Sequence, residues 1–165
     1  MPIVKTGRRV ATHETMANTY SSLFLHIVFS TKNRKRWITP EIEHRVWAYI
    51  GGIARIHGLT AIQVGGTEDH IHALILARPI HSPSAIAKWL KADSSKWIHQ
   101  EFENMRSFAW QDGFGAFSVS KSNVPAVVDY IMDQRKHHEE ESFETEYERL
   151  MKLHEVDYDP KYLFD

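Results

Sequence analysis

Apolar positions along the chain follow two periods. The run SLFLHIVFS (residues 22–30) is rich in β-branched and aromatic residues and predicts a buried strand. In TPEIEHRVWAYIGGIARIHG (39–58), Ile42, Val46, Tyr49, Ile50, Ile53 and Ile56 recur at helical spacing. That segment predicts a helix with Thr39 as its cap, Pro40 at its first position and Gly58 at its stop. Gly51 and Gly52 either weaken its continuity or mark close packing against a sheet. LTAIQVGG (59–66) and HIHALILA (70–77) read as two strands joined by the turn-like GGTED. SPSAIAKWLKADSSKW (82–97) predicts a second helix, capped by Ser82 with Pro83 just inside. A short strand, AFSVS (116–120), precedes NVPAVVDYIMDQRKHH (123–138), a third helix opened by Pro125. ETEYERLMKLH (144–154) predicts a last amphipathic helix before the tail YDPKYLF.

The order β-α-β-β-α-β followed by helices predicts an α+β, ferredoxin-like (split βαβ) architecture. Its antiparallel sheet carries helices on one face and leaves the other free to bind something. Residues 1–17 are polar and without periodicity, with a second methionine at Met16. They are expected to be a disordered arm or an upstream extension, leaving 18–165 as one domain.

Composition narrows the chemistry. At 165 residues the chain suffices for one domain with a proper core, and 42% hydrophobic with 25% charged residues is ordinary for a soluble protein. No apolar run approaches the roughly 18 residues of a membrane span, and no apolar segment follows the basic N-terminus, so a cytoplasmic protein is expected. The absence of cysteine excludes disulfides, thiolate catalysis and Cys-ligated metals. The net charge of −1 hides an asymmetry: residues 1–138 hold 17 Lys/Arg against 11 Asp/Glu, and residues 139–165 hold 3 against 10. A mildly basic body permits a polyanionic ligand. The acidic tail reads as a solvated helix face, with a regulatory role as the alternative.

Within TEDHIHALILA (67–77), His70 and His72 are two residues apart on a predicted strand, so they share a face with Cα atoms about 6.5–7 Å apart. Ile71, Ala73 and Ile75 would face the core while the histidines look outward. The pair is a chelating geometry, but two ligands are an incomplete site. A wet sheet face, or chance in a chain with eleven histidines, explains it equally well. A histidine-triad hydrolase would carry a third histidine where Leu74 stands, and no His-Glu-x-x-His is present. Tyr130 and Gln134 lie at i and i+4 on the third helix, beside Val127, Val128 and Ile131. Core packing with the hydroxyl at the edge accounts for such a tyrosine, and solvent exposure for the glutamine. If this helix lies on the open sheet face, a phenol, an amide oxygen and two imidazoles meet. A phenol with a pKa near 10 needs a nearby electrophilic ion to attack a phosphodiester.

With these residues assembled, the chain resembles the single-tyrosine HUH transposases of bacterial and archaeal insertion sequences, with REP-associated tyrosine transposases among their relatives. His70-Ile71-His72 matches the His-hydrophobic-His motif, and Tyr130-Ile131-Met132-Asp133-Gln134 the Tyr-x-x-x-Gln helix. TYSSLFLHIVFSTKNR, KADSSKW, WQDGFGAFSVS and YDPKYLF follow the family in the same order, from about Tyr20 to the C-terminus.

The resemblance implies that Tyr130 attacks a phosphodiester of single-stranded DNA, giving a 5′-phosphotyrosine and a free 3′-hydroxyl. It also implies that His70, His72 and Gln134 hold a divalent ion, Mg2+ or Mn2+. Imidazole is an unusual ligand for magnesium, which makes manganese the better compromise. DNA hairpins at element ends are the implied ligand, and a homodimer the implied assembly, with the Tyr130 helix exchanged through a hinge at 118–124. Lys32, Arg34, Lys35, Arg36, Lys88, Lys91 and Lys96 are candidate phosphate contacts. Trp37, Trp89 and Trp97 are candidates for base stacking or for the core. The alternatives are a host-domesticated hairpin-binding nuclease, a metal phosphoesterase with no covalent step, and a sheet-face nucleic-acid-binding module. The last predicts aromatics where HIHALILA offers histidines.

Overall fold

The structure is a computed structural model that describes residues 19–164; the expectation for residues 1–17 falls outside them. Four strands, β1 (Leu23–Ser30), β2 (Thr60–Gly66), β3 (His70–Ala77) and β4 (Gly115–Val119), form one antiparallel sheet in the order β2-β3-β1-β4. Helices α1 (Glu43–Ile56) and α2 (Pro83–Glu101) cross between them as the split βαβ arrangement requires.

Strand alternation decides what each face carries. Ile27, Phe29, Ile71, Ala73 and Ile75 point to one side, where they pack with Val46, Ile50 and Ile53 of α1 and Ile86, Leu90 and Ile98 of α2. The opposite face carries Phe24, His26, Val28 and Ser30 of β1, aligned across the ladder with Leu76, Leu74, His72 and His70 of β3.

That second face is not free, which corrects the sequence expectation. Helices α3 (Val124–Met132), α4 (Gln134–His137) and α5 (Phe143–Leu153) fold back over it. Val124 and Ile131 of α3 pack on Phe24 and Leu74. Phe143, Tyr147, Leu150 and Met151 of α5 pack on Val28 and Phe117, with Leu163 of the tail. The two helices therefore meet over β1, α3 reaching toward β3 and α5 toward β4, and leave a seam between them.

Glycine sets how closely α3 approaches. A Cβ at Gly65, the residue aligned with His72, would lie 2.8 Å from the Ile131 carbonyl oxygen and 3.0 Å from Ile131 Cγ2. The obstacle is backbone, so it cannot turn aside. Gly65→Ala is expected to lift α3 and destabilise the fold by about 1–3 kcal/mol, the usual cost of overpacking. The check is a lowered urea midpoint at unchanged slope.

Two further details depart from the pattern-based reading, and others agree with it. The first helix begins at Glu43, because Thr39–Ile42 form a turn in which Ile42 N–H and Glu43 N–H both donate to the Thr39 carbonyl. It then runs unbroken through Gly51 and Gly52 to Ile56, and Gly58 takes the positive φ (73°) expected of a helix stop. The third helix is interrupted at Asp133, so Tyr130 and Gln134 lie on either side of a break. The Gln134 side-chain amide reaches back to the Tyr130 carbonyl (3.5 Å). Ser82 caps α2 as expected, its hydroxyl accepting from Ala85 N–H at 3.1 Å. Among the described residues no helix is long and apolar enough to cross a membrane.

Candidate metal and tyrosine site

Beneath the seam lie His70, His72 and Gln134, all essentially inaccessible, with Tyr130 half-buried above them. The structure thus brings together the four residues singled out in the sequence, but buried rather than on a wet surface. It adds a carboxylate the sequence reading missed. Glu146, on the covered face of α5, is 0% exposed, and its Oε2 lies 3.5 Å from His70 Nε2 and 3.4 Å from His72 Nε2.

Hydrogen bonding fixes where the lone pairs point. Asp69 Oδ1 takes the His70 Nδ1–H (2.7 Å), the usual orienting partner of a ligating imidazole, and so leaves His70 Nε2 as an acceptor. Gln134 donates its amide N–H to Glu146 Oε1 (3.0 Å), which turns its Oε1 toward His70 Nε2 at 2.9 Å. An acceptor faces an acceptor there unless a cation or proton separates them. His72 Nδ1 pairs with His26 Nε2 at 2.8 Å, while His72 Nε2 is buried with no aligned hydrogen-bond partner. Buried polar atoms are rarely left so.

His70, His72 and Glu146 could therefore hold a metal: their ligand atoms lie within 4.8 Å of one another. The 3.4–3.5 Å separations suit ligands about 2.0–2.2 Å from one shared ion. Two imidazoles with a carboxylate and an amide oxygen suit a borderline divalent cation better than magnesium.

Electrostatics agree with that division of charge. Burial opposes ionisation of Glu146, but His72, His138 and His70 around it hold its carboxyl far below the usual carboxylate range. Burial, joined by the repulsion of His70 and His138, shifts His72 downward against the pull of Glu146, which favours the neutral form that a metal ligand requires. Burial, then His72, likewise push His26 well below its ordinary value. His138 is shifted upward: burial lowers it, but its hydrogen bond to Glu146 Oε2 (2.8 Å) and that carboxylate's charge outweigh the burial. The Tyr130 hydroxyl donates to Glu146 Oε1 and accepts from Arg149 Nη2 at 3.2 Å. Burial and the neighbouring carboxylate push this phenol up, and Arg149 opposes them.

The basic candidates lie elsewhere. Lys88, Lys91 and Lys96 sit on α2, across the sheet from the histidines, and Lys91 Nζ is spent on the Asp112 and Gly113 carbonyls (2.8 and 3.1 Å). Lys32 pairs with Asp112 at 3.9 Å, Arg34 with Glu144, and Lys35 lies 4.0 Å over the Trp37 ring. Arg36 lines a polar cleft with Asp69, Arg135 and His138 beside the site. Trp89 is stacked on His57 and Trp97 on Tyr49, each with ring centroids 4.2 Å apart.

Against known families, the description "Transposase IS200 like" matches residues 19–134. The chain belongs to the IS200-like transposase family. Among curated relatives it is 28% identical, over 127 residues, to the transposases for insertion sequence element IS200 of Salmonella typhimurium and Salmonella typhi, covering 73% of this chain and 82% of each relative. A putative transposase from Deinococcus radiodurans shares the fold with a TM-score of 0.59 at 23% identity, over 79% of this chain and 98% of that one. A REP-associated tyrosine transposase bound to a REP hairpin does so with a TM-score of 0.54 at 14% identity, over 74% and 73%.

The family match ends at Gln134, the last residue of the Tyr-x-x-x-Gln motif. His138, Glu146 and Arg149 lie beyond it in this chain, although they close the same buried cluster. One signal could have found Glu146. It shares a helical face with Phe143, Tyr147, Leu150 and Met151, where a glutamate is out of place unless paired.

Proposed function

We propose that the protein cleaves and rejoins single-stranded DNA at hairpin-bearing ends, with Tyr130 as nucleophile and a divalent ion held by His70, His72 and Glu146, Gln134 completing or bracing the set. The observation that carries this reading is the convergence of the Tyr130 hydroxyl, two imidazoles and a carboxylate in one cluster within a single chain. A bound divalent ion would supply Lewis-acid polarisation of the scissile phosphate. The protein's own groups do the rest. Asp69 and His26 fix the two imidazoles in the ligating tautomer. Glu146 Oε1 accepts the Tyr130 hydroxyl's hydrogen bond and so aims its oxygen, and Arg149 stabilises the phenolate; the proton the phenol gives up is matched by the one the departing 3′-oxygen takes. The tyrosine oxygen attacks phosphorus, the bond to the 3′-oxygen breaks, and a 5′-phosphotyrosine with a free 3′-hydroxyl results. The covalent bond conserves the energy of the broken one, so rejoining needs no nucleotide cofactor.

The test is a labelled hairpin oligonucleotide from DNA flanking the coding sequence, incubated with protein and manganese and run on a denaturing gel. A covalent protein–DNA adduct is expected, lost on chelation and restored by added manganese. Cleavage without an adduct would favour a phosphoesterase; hairpin binding without cleavage would favour a non-catalytic binder.

A homodimer is proposed on family grounds, and its geometry is testable. Tyr130 reaches the histidines of its own chain, so exchange of α3 is not needed to complete a site. Mixing Tyr130→Phe with His72→Ala protein is therefore expected to yield no adduct. Recovered adduct would establish that the tyrosine serves the partner subunit.

A further inference from the structure

The seam between α3 and α5 opens at its far end into a cavity of about 400 Å³ that the chemistry above leaves unused. Its lining includes Tyr130 and Arg149, the buried ring of His26, Val127, and the exposed Leu153 and Asn123. We propose that this cavity binds the nucleoside immediately 3′ of the scissile phosphate, the one retained in the phosphotyrosine adduct. The proposal rests on Tyr130 being the nucleophile.

Three features point to a nucleoside. The volume lies within the range of small-molecule pockets, roughly 300–1,000 Å³. Val119, Val127, Leu150 and Leu153 give the lining an aliphatic part, and beside it stand polar groups for a base edge and a phosphate: the Asn123 amide and the Arg149 guanidinium, the latter half-exposed and also paired with Glu141 (3.0 Å). His26 is only 4% exposed, and its Nε2 is engaged by His72 Nδ1, so the ring is held rigidly as part of the lining. Arg149 Nη2 donates to the Tyr130 oxygen (3.2 Å), so a phosphate attacked by that oxygen comes within reach of the same guanidinium.

Stereochemistry selects which neighbour occupies it. In an in-line displacement the leaving 3′-oxygen departs on the side of phosphorus opposite the nucleophile. The nucleoside that leaves is carried away from Tyr130, and the one joined through its 5′-oxygen stays beside it. A cavity lined by Tyr130 itself receives the retained nucleoside. Its position beside the nucleophile gives the protein direct contact with one base at the cleavage point.

The test walks a single abasic site along the single-stranded part of the same hairpin oligonucleotide and measures affinity for Tyr130→Phe protein, which cannot cleave. One position is expected to cost tenfold or more, the scale of losing one stacked base. Adding Leu153→Trp, at a side chain 68% exposed and so tolerant of change, is expected to fill the mouth and erase that penalty; Leu153→Ala should preserve it. Mapping the adduct of wild-type protein should then place the position directly 3′ of the cut. A uniform profile, a penalty that Leu153→Trp leaves intact, or one falling 5′ of the cut would each overturn the assignment. If the Leu153→Trp-sensitive position is found but wild-type protein forms no adduct, the nucleotide pocket stands and the catalytic role of Tyr130 falls.

Discussion

Tyr130→Phe protein is expected to form no covalent adduct with hairpin DNA while binding that DNA as tightly as the wild type. The substitution removes one oxygen and keeps the ring. The ring's packing is therefore retained, edge-on to His72 (5.7 Å) and His26 (6.3 Å), tilted against His137 (4.9 Å) and beneath Arg149 (5.9 Å). The lost hydrogen bond to Glu146 costs stability only on the order of 0.5–1.5 kcal/mol, because Glu146 keeps Gln134 and His138 as donors. The rate effect is of another size. With the attacking hydroxyl gone, covalent cleavage should fall by about four orders of magnitude or more, as when the attacking group of a covalent enzyme is deleted. An adduct that survives the substitution would move the nucleophile to another side chain.

His72→Ala is expected to lose cleavage and metal response together while hairpin affinity remains. His72 Nε2 is a buried atom with no aligned partner, so on the proposed reading its removal strips a ligand, whereas the opposite ring nitrogen pairs with His26. Displacing a mere orienting partner costs about 10–100-fold in metal affinity, and deleting a ligand should cost at least that. Thermal unfolding gives a readout independent of DNA. Manganese at about 100 times its dissociation constant should stabilise wild-type protein by about 2.7 kcal/mol and the variant hardly at all. Glu146→Gln should show the same loss of response; if Gln134→Ala alone abolishes it, the amide is the third ligand and the carboxylate its support. Equal loss of cleavage and hairpin affinity in His72→Ala would mark the residue as structural.

Much of this site was legible in the chain because short-period rules govern it. Alternation in HIHALILA put both histidines on one face, and Pro125 and the apolar spacing after it gave the helix that carries Tyr130. What lay beyond reach was tertiary. No local rule says that α3 and α5 return across the second sheet face, so the histidines read as exposed although they are covered. His26 hid within an apolar strand; only the register of β1 on β3 reveals that it shares a face with His72. Glu146 hid among the glutamates of an acidic tail whose charge suggested solvent. For the basic residues the chain offered charge alone, and no local pattern announces that Lys91 is tied to two carbonyls.

The position of Glu146 also bears on when during synthesis the cluster can close. The two histidines come from the middle of the chain and the tyrosine some sixty positions later, but the carboxylate comes from the last helix. A chain halted before Phe143 holds His70, His72, Tyr130 and Gln134 but no Glu146, so its imidazoles have no anionic centre and its phenol lacks that hydrogen-bond acceptor. On the proposed chemistry, a polypeptide that stops before α5 would accordingly form no adduct, and competence would arrive only once α5 has been made.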